Sequence, residues 1–236
     1  MSSCVLILGI NKQQRNEMKK ELILAFNRKA VLEMLEDIKH LPNKEQPNEF
    51  LSKWDIVNNV FIPRCIAETS SEYIHPIPYF LIENQNGEVL VYQRGKGVGE
   101  SRLLGNHSVG FGGHVDLQHS IEQQVDLGNT VLILTVSKYV ELEEEISGDN
   151  FCYKEWFKDL GVIYDSSNEV GKVHLGFVSV VRYLQKDGSE LTLNEDELIN
   201  CGWYNPEDIL EKHEQGGFNL ENWSVTALQY LIESKL

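Results

Sequence analysis

The pattern of apolar and polar positions changes character twice along this chain. Residues 4–9 form a short apolar run of strand type, and residues 11–41 are then charged and periodic. Leu22, Leu24, Ala25, Phe26, Val31, Leu32, Leu35 and Ile38 supply the apolar positions of that stretch, which predicts one or two amphipathic helices. Residues 42–49, with two prolines, read as loop. From Pro76 onward the texture is that of strands. Residues 79–83 and 89–93 flank Asn86-Gly87, the sequence of a tight hairpin turn. Residues 161–164 and 174–183 predict further strands, and a short helix opens near Pro206. Residues 224–235 predict a closing amphipathic helix with Ser224 as its N-cap. Strands interleaved with helices predict mixed α/β layers. The chain divides on this reading into an N-terminal extension, residues 1–54, partly helical and without evident chemistry, and a main domain, residues 55–236.

Between these strands lies the segment with the densest chemistry, Glu141-Leu142-Glu143-Glu144-Glu145. If residues 129–147 are helical, Leu132, Thr135, Tyr139, Leu142 and Ile146 make a buried stripe at spacings of three and four. Glu141, Glu144 and Glu145 then share the neighbouring face, at i, i+3 and i+4. Three carboxylates so placed repel one another unless a cation lies between them, and magnesium typically joins carboxylates to substrate phosphates. Two other readings stay open on the segment alone. An acidic helix face is often simply solvated, and residues 130–136 are β-branched and apolar enough for a strand.

Composition narrows the partners. The 236 residues include 21 Lys and Arg against 36 Asp and Glu, a net charge of −15. That balance argues against a nucleic-acid polymer, whose binding needs clustered positive charge. A small phosphorylated ligand remains compatible, because a few cations or metal ions override the global field locally. Cys4, Cys65, Cys152 and Cys201 are scattered without a paired motif, so neither a disulfide framework nor a cysteine zinc site is signalled. Without a basic-flanked apolar leader or an apolar run of membrane-spanning length, the expectation is a soluble, cytoplasmic protein with no membrane partner.

Upstream of the glutamates stands Ser108-Val109-Gly110-Phe111-Gly112-Gly113-His114-Val115-Asp116. A glycine pair ending an apolar strand permits close backbone approach, although by itself it reads as well as a turn. Together, the Gly-Gly-His-Val-Asp opening and the Glu-Leu-Glu-Glu-Glu ending resemble the signature of the Nudix hydrolase family. Tyr92-Gln93-Arg94, the segment 202–208 and the terminal helix look similar to the same family. The nearest likeness is to a branch described as predicted phosphoesterases, in which a Ser-x-Gly-x-Gly-Gly-His opening recurs with Ile-Pro-Arg and Pro-Tyr upstream, as in residues 62–64 and 78–79 here. Three departures stand out. His119 occupies the place of the signature's first glutamate, six residues after Gly113, with Glu122 nearby; about a dozen residues are inserted between the two halves; and Val140 replaces the arginine before Glu141, with Lys138 as a substitute cation. The signature's final glycine is displaced to Gly148.

The resemblance implies the Nudix fold, a mixed β-sheet sandwiched between helices, and magnesium, with manganese as a substitute. It implies metal ligation by Glu141, Glu144, Glu145 and the carbonyl of Gly112, and a general base among Glu141, Glu144 and Glu197, with Glu195 second to Glu197. Arg94, Gly113 and His114 are the candidate substrate contacts, a surface ion pair being the competing reading of Arg94; Trp203 reads as core. The implied activity is hydrolysis of a diphosphate linkage in a nucleotide or nucleotide-like metabolite. The other class left open is a Nudix-fold nucleotide-binding or regulatory protein without catalysis. The oligomeric state also stays open, with a homodimer among the arrangements, because many proteins of this fold class pair up.

Overall fold

The computed structural model describes residues 21–95, 104–147, 157–184, 191–194 and 198–235. Its centre is the long strand β3 (Tyr73–Asn84), buried at ten consecutive positions between its ends. Such a run, rather than an alternating one, marks a strand covered on both faces. β3 pairs in parallel with β9 (His174–Tyr183) and antiparallel with β1 (Leu22–Asn27), β4 (Val89–Arg94) and the short β6 (Gly110–Phe111). Around this core lie β2 (Asn59–Pro63) against β1, β5 (His107–Ser108) and β11 (Leu198–Tyr204) against β4, and β8 (Lys158–Ile163) against β9. The result is a mixed nine-stranded sheet, with a separate small ribbon of β7 (Ile146–Ser147) and β10 (Thr192–Leu193). The β3–β4 hairpin turns at Asn86-Gly87 as its sequence predicts: Gly87 has φ +80°, and the Asn84 side chain accepts from the amides of Asn86 and Glu88.

The two faces of β3 meet different helices. Ile77, Tyr79 and Leu81 pack with Ile209 of α6 (Pro206–Glu214) and with Ala227, Leu228 and Leu231 of α7 (Asn222–Glu233). On the opposite face Phe80 and Ile82 pack with Leu142 and Ile146 at the end of α5 (Thr130–Glu145). The same face carries α1 (Arg28–Ile38) and α2 (Gln46–Lys53), whose Val31, Ile38 and Phe50 join Ile133 and Leu134 of α5 in one cluster. Two short helices, α3 (Arg64–Ala67) and α4 (Leu117–Glu122), complete the fold. This is the mixed α/β sandwich expected of the Nudix fold.

Residues 46–49, read as loop, open helix α2, with Pro47 tolerated in its first turn, where no helix hydrogen bond needs its amide. Three further sequence expectations are corrected. Residues 22–27, predicted as part of a helix, form strand β1; four successive positions from Ile23 to Phe26 are buried because the strand sits inside the sheet. The periodic pattern blurred there because a two-sided buried strand and a buried helix turn look alike. β1 also reaches the glycine motif, since the Leu24 amide donates to the Val115 carbonyl at 2.8 Å. Strands on both sides of residue 54 therefore build one sheet, and the N-terminal segment holds the motif in place. Second, α7 starts at Asn222, and Ser224 is a fully buried residue of its first turn rather than its cap. Its hydroxyl is hydrogen-bonded to those of Tyr79 and Ser108, each at 3.1 Å, and accepts from the Val109 amide. Third, the buried face of α5 is turned about its axis from the predicted stripe, as described below.

Phe26 tests the place of the N-terminal segment in the core. It is fully buried, 4.5 Å between ring centroids from Trp54 and 6.4 Å from Phe50. Phe26→Ala is expected to lower unfolding free energy by about 3–5 kcal/mol, read from the shift of a urea midpoint. A change below about 1 kcal/mol, the range of surface substitutions, would show that the segment is peripheral.

Candidate active site and a buried histidine cluster

Helix α5 forms in spite of its β-branched start because Asn129 caps it, accepting from the Leu132 amide at 3.0 Å. Its buried positions are Thr130, Ile133, Leu134, Ser137, Lys138, Glu141 and Leu142, whereas Leu132 and Thr135 of the predicted stripe are exposed. Lys138 is tolerated inside because it finds a partner, and Glu141 fits inside because its neighbour has no side chain. Lys138 donates to Asp159 at 3.0 Å, and the Glu141 carboxylate lies directly over Gly113. A Cβ built on Gly113 would stand 2.4 Å from Glu141 Oε1, so only glycine admits the carboxylate there. The partner of Lys138 is thus Asp159, on β8, where the sequence suggested a substitute for the signature arginine.

The last turn of α5 holds Glu143, Glu144 and Glu145 and no basic residue. Carboxylates at a helix C-terminus oppose the macrodipole, each at a cost of about 0.3–1 kcal/mol at the surface. The open carbonyls are met by Asn194: its side chain donates to the carbonyls of Glu143 and Glu144, and its amide to that of Glu145. The helix end is therefore secured through its backbone while the acidic side chains remain, a local conflict of the kind found at functional sites. Glu144 is half-exposed, with its Oε1 3.6 Å from Nε2 of His119 on α4. The inserted residues thus fold as a short helix, capped by Asp116, that brings His119 to the acidic turn.

The remaining glycines of the motif are also dictated by close approach. A Cβ on Gly110 would fall 1.9 Å from the Tyr79 ring, and one on Gly112 would fall 2.1 Å from the Pro78 carbonyl oxygen. The Pro-Tyr pair and the glycine motif are thus two sides of one contact, β3 against β6. Arg94 is mostly buried and paired with Glu221 through Nε at 2.5 Å. Glu221 in turn accepts from Ser108 at 3.4 Å, which links Arg94 to the Ser224–Tyr79 network. Trp203 stacks on Tyr183 at 5.8 Å, and both line a cleft with Asn84, Asn86, Glu88 and Asn200 at the hairpin end of the sheet. Glu195, Glu197 and Gly148 lie outside the described residues. Among the described residues, Cys65 and Cys201 are free thiols, and no helix is long and apolar enough to cross a membrane.

His114, expected as a substrate contact, turns its ring into a cluster that the sequence did not signal. With His75, His174 and Glu68 it forms the one group of three or more His, Cys, Asp or Glu side chains, among the described residues, whose ligand atoms lie within 4.8 Å of one another. Burial above all, and then the neighbouring imidazoles, pushes the His75 pKa down to about 2. Burial, then Arg64 and His174, pushes that of His114 down to about 3, so both rings are neutral. The cluster was invisible in the sequence because its members come from α3's end, two paired strands and the glycine motif, with no local spacing in common.

No family model matches the chain. It is 35% identical over 158 residues to protein YmaB of Bacillus subtilis, a match spanning 67% of this chain and 71% of that protein. The crystal structure of Tm1382, assigned to the Nudix hydrolases, superposes with a TM-score of 0.62 at 21% identity, covering 89% of this chain and 98% of that one. The chain is a relative of YmaB and has the Nudix fold. Within that fold it seats Glu141 of α5 over Gly113.

Proposed function

We propose that this Nudix-fold protein hydrolyses a diphosphate linkage in a nucleotide or nucleotide-like metabolite, using a magnesium-dependent site at the end of α5. The observation that carries the reading is the seat of Glu141 against Gly113, which joins the two halves of the motif in space. The donor set suits a hard cation: carboxylates from Glu141, Glu144 and Glu145, and the carbonyl of Gly112 in the segment that Glu141 touches. Magnesium, or manganese in its place, supplies charge neutralisation of the phosphate oxygens and a bound water of lowered pKa. Glu141, buried and seated over Gly113, orients the site. Glu144, more exposed, accepts the proton of the attacking water as general base, with Glu141 and Glu197 as the other carboxylates assigned to that role. Arg94, positioned by Glu221, contacts the phosphate, as do Gly113 and His114 through their backbone.

One observation favours the alternative of a catalytically impaired nucleotide-binding or regulatory protein. His119 stands where the signature has its first glutamate, and its ring lies 3.6 Å from Glu144. Thermal stabilisation by nucleotides, followed alongside product formation, separates the two. A hydrolase converts the stabilising compound in the presence of magnesium and stops when a chelator is added. A binder is stabilised by it, by RT ln(1 + [L]/Kd), and leaves it intact.

A further inference from the structure

The structure assigns a second metal site, for zinc, to His75, His114, His174 and Glu68, separate from the carboxylates of α5. His75 and His174 are register partners at the start of the parallel pair β3–β9, with ring centroids 4.1 Å apart. His114, following the glycine pair, stacks on His75 at 5.0 Å and lies 5.7 Å from His174. His75 is fully buried, and neither of its ring nitrogens has a hydrogen-bond partner; the Nε2 of His114 is also buried without one. Burying an imidazole with its polar atoms unmet is unfavourable, and a structure retains it where something else meets them. Three imidazoles facing one another present their ring nitrogens to a common point, and a divalent transition metal is the partner such nitrogens fit.

The surrounding contacts agree. His174 Nδ1 lies 2.6 Å from the Val170 carbonyl, which only accepts, so Nδ1 is the donor and Nε2 is the ring atom offered as a ligand. A ring oriented in this way by a backbone carbonyl is the usual support of a histidine ligand. Glu68, 3.5 Å from His114 Nε2, supplies the oxygen. Its side chain is 36% exposed, so it has room to close on a cation. Tetrahedral zinc with bonds of about 2.0–2.1 Å sets ligand atoms about 3.3 Å apart, a modest contraction of the 4.8 Å grouping. Arg64 is the opposing charge, and it is itself paired with Glu68 at 3.2 Å and Glu21 at 2.9 Å. Three nitrogens and one carboxylate suit zinc rather than magnesium, which prefers oxygen ligands and retained waters. Four protein ligands leave no open position, so the role is structural: the ion ties α3, the starts of β3 and β9, and the Gly112-Gly113-His114 segment together.

The two sites lie on opposite faces of the sheet. His75 alternates with Ile77 and Tyr79 on the face covered by α7, and His174 lies 6.4 Å from Trp223 of that helix. The α5 carboxylates belong to the other face. The test titrates the full chain, stripped with a chelator and kept in excess magnesium, with zinc alone by calorimetry, and records the visible spectrum with cobalt. One zinc per chain is expected, with tetrahedral cobalt bands and a raised Tm. His174→Ala should weaken zinc binding at least a hundredfold. Glu68→Gln, at the exposed rim where folding is least at risk, should weaken it at least tenfold. The double variant Glu144→Gln/Glu145→Gln should bind zinc as the unaltered chain does. Absence of a zinc equivalent in the unaltered chain would overturn the assignment. So would binding that survives Glu68→Gln undiminished, or that is lost in the Glu144/Glu145 double variant.

Discussion

Glu144→Gln and Glu145→Gln should each lower metal-dependent turnover by on the order of 100-fold or more, the scale of a lost general base or charge-stabilising ligand. Neither should cost stability. Both residues sit in the last turn of α5, where the macrodipole and the neighbouring glutamates already disfavour negative charge. Removing a charge there leaves the unfolding midpoint unchanged or raises it slightly. The backbone end of the helix is held by Asn194, not by these side chains. Initial rates of phosphate release and a urea midpoint, measured on the same preparations, separate the two effects. Rates within twofold of the unaltered chain in both variants would remove the α5 carboxylates from the mechanism.

Two glycines three residues apart should respond to alanine in opposite ways. In Gly110→Ala the new Cβ falls 1.9 Å from the Tyr79 ring. That ring is 5% exposed, packs edge-on against Trp223 at 5.5 Å and is hydrogen-bonded to Ser224 at 3.1 Å, so it has nowhere to go. Overpacking of this kind costs about 1–3 kcal/mol, occasionally more, and the upper end is expected here. In Gly113→Ala the clash is with the far end of the Glu141 side chain, which can swing away. Stability should then change by less than about 1 kcal/mol while turnover falls at least tenfold, because the displaced carboxylate no longer faces the glycine segment. Full activity in Gly113→Ala would show that the seat of Glu141 is dispensable, and an unshifted midpoint in Gly110→Ala would contradict the packing of β6 on β3.

Local signals carried much of this molecule. The Asn86-Gly87 turn, the strand before it and the acidic helix were legible because turn chemistry and periodicity act within a few residues. Helix and strand were confused at Leu22–Asn27 because both of that strand's faces are buried, so the alternation that distinguishes a strand was absent. The stripe of α5 was misplaced for a related reason. Hydrophobicity alone cannot anticipate that Lys138 turns inward onto Asp159 and that Glu141 fits inside where Gly113 leaves room. Ser224 had the residue type of a cap but was claimed by a buried hydroxyl network reaching Tyr79, 145 residues away in sequence. The histidine cluster is the extreme case: its members are brought together by parallel strand register and by the turn after β6, neither of which leaves a mark in local spacing.

Hydrolysis of a phosphoanhydride at the end of α5 should depend on a divalent metal. Its most direct test is phosphate release, with a coupled phosphatase to reveal monophosphate products, across nucleoside triphosphates, dinucleoside polyphosphates, nucleotide sugars and NADH. The panel is run with magnesium, with manganese and with chelator, on the unaltered chain and on Glu145→Gln. Release is expected from at least one compound, needing the metal and disappearing in the variant. Silence across the whole panel, with thermal stabilisation by one of the same compounds, would contradict it and make the protein a nucleotide binder.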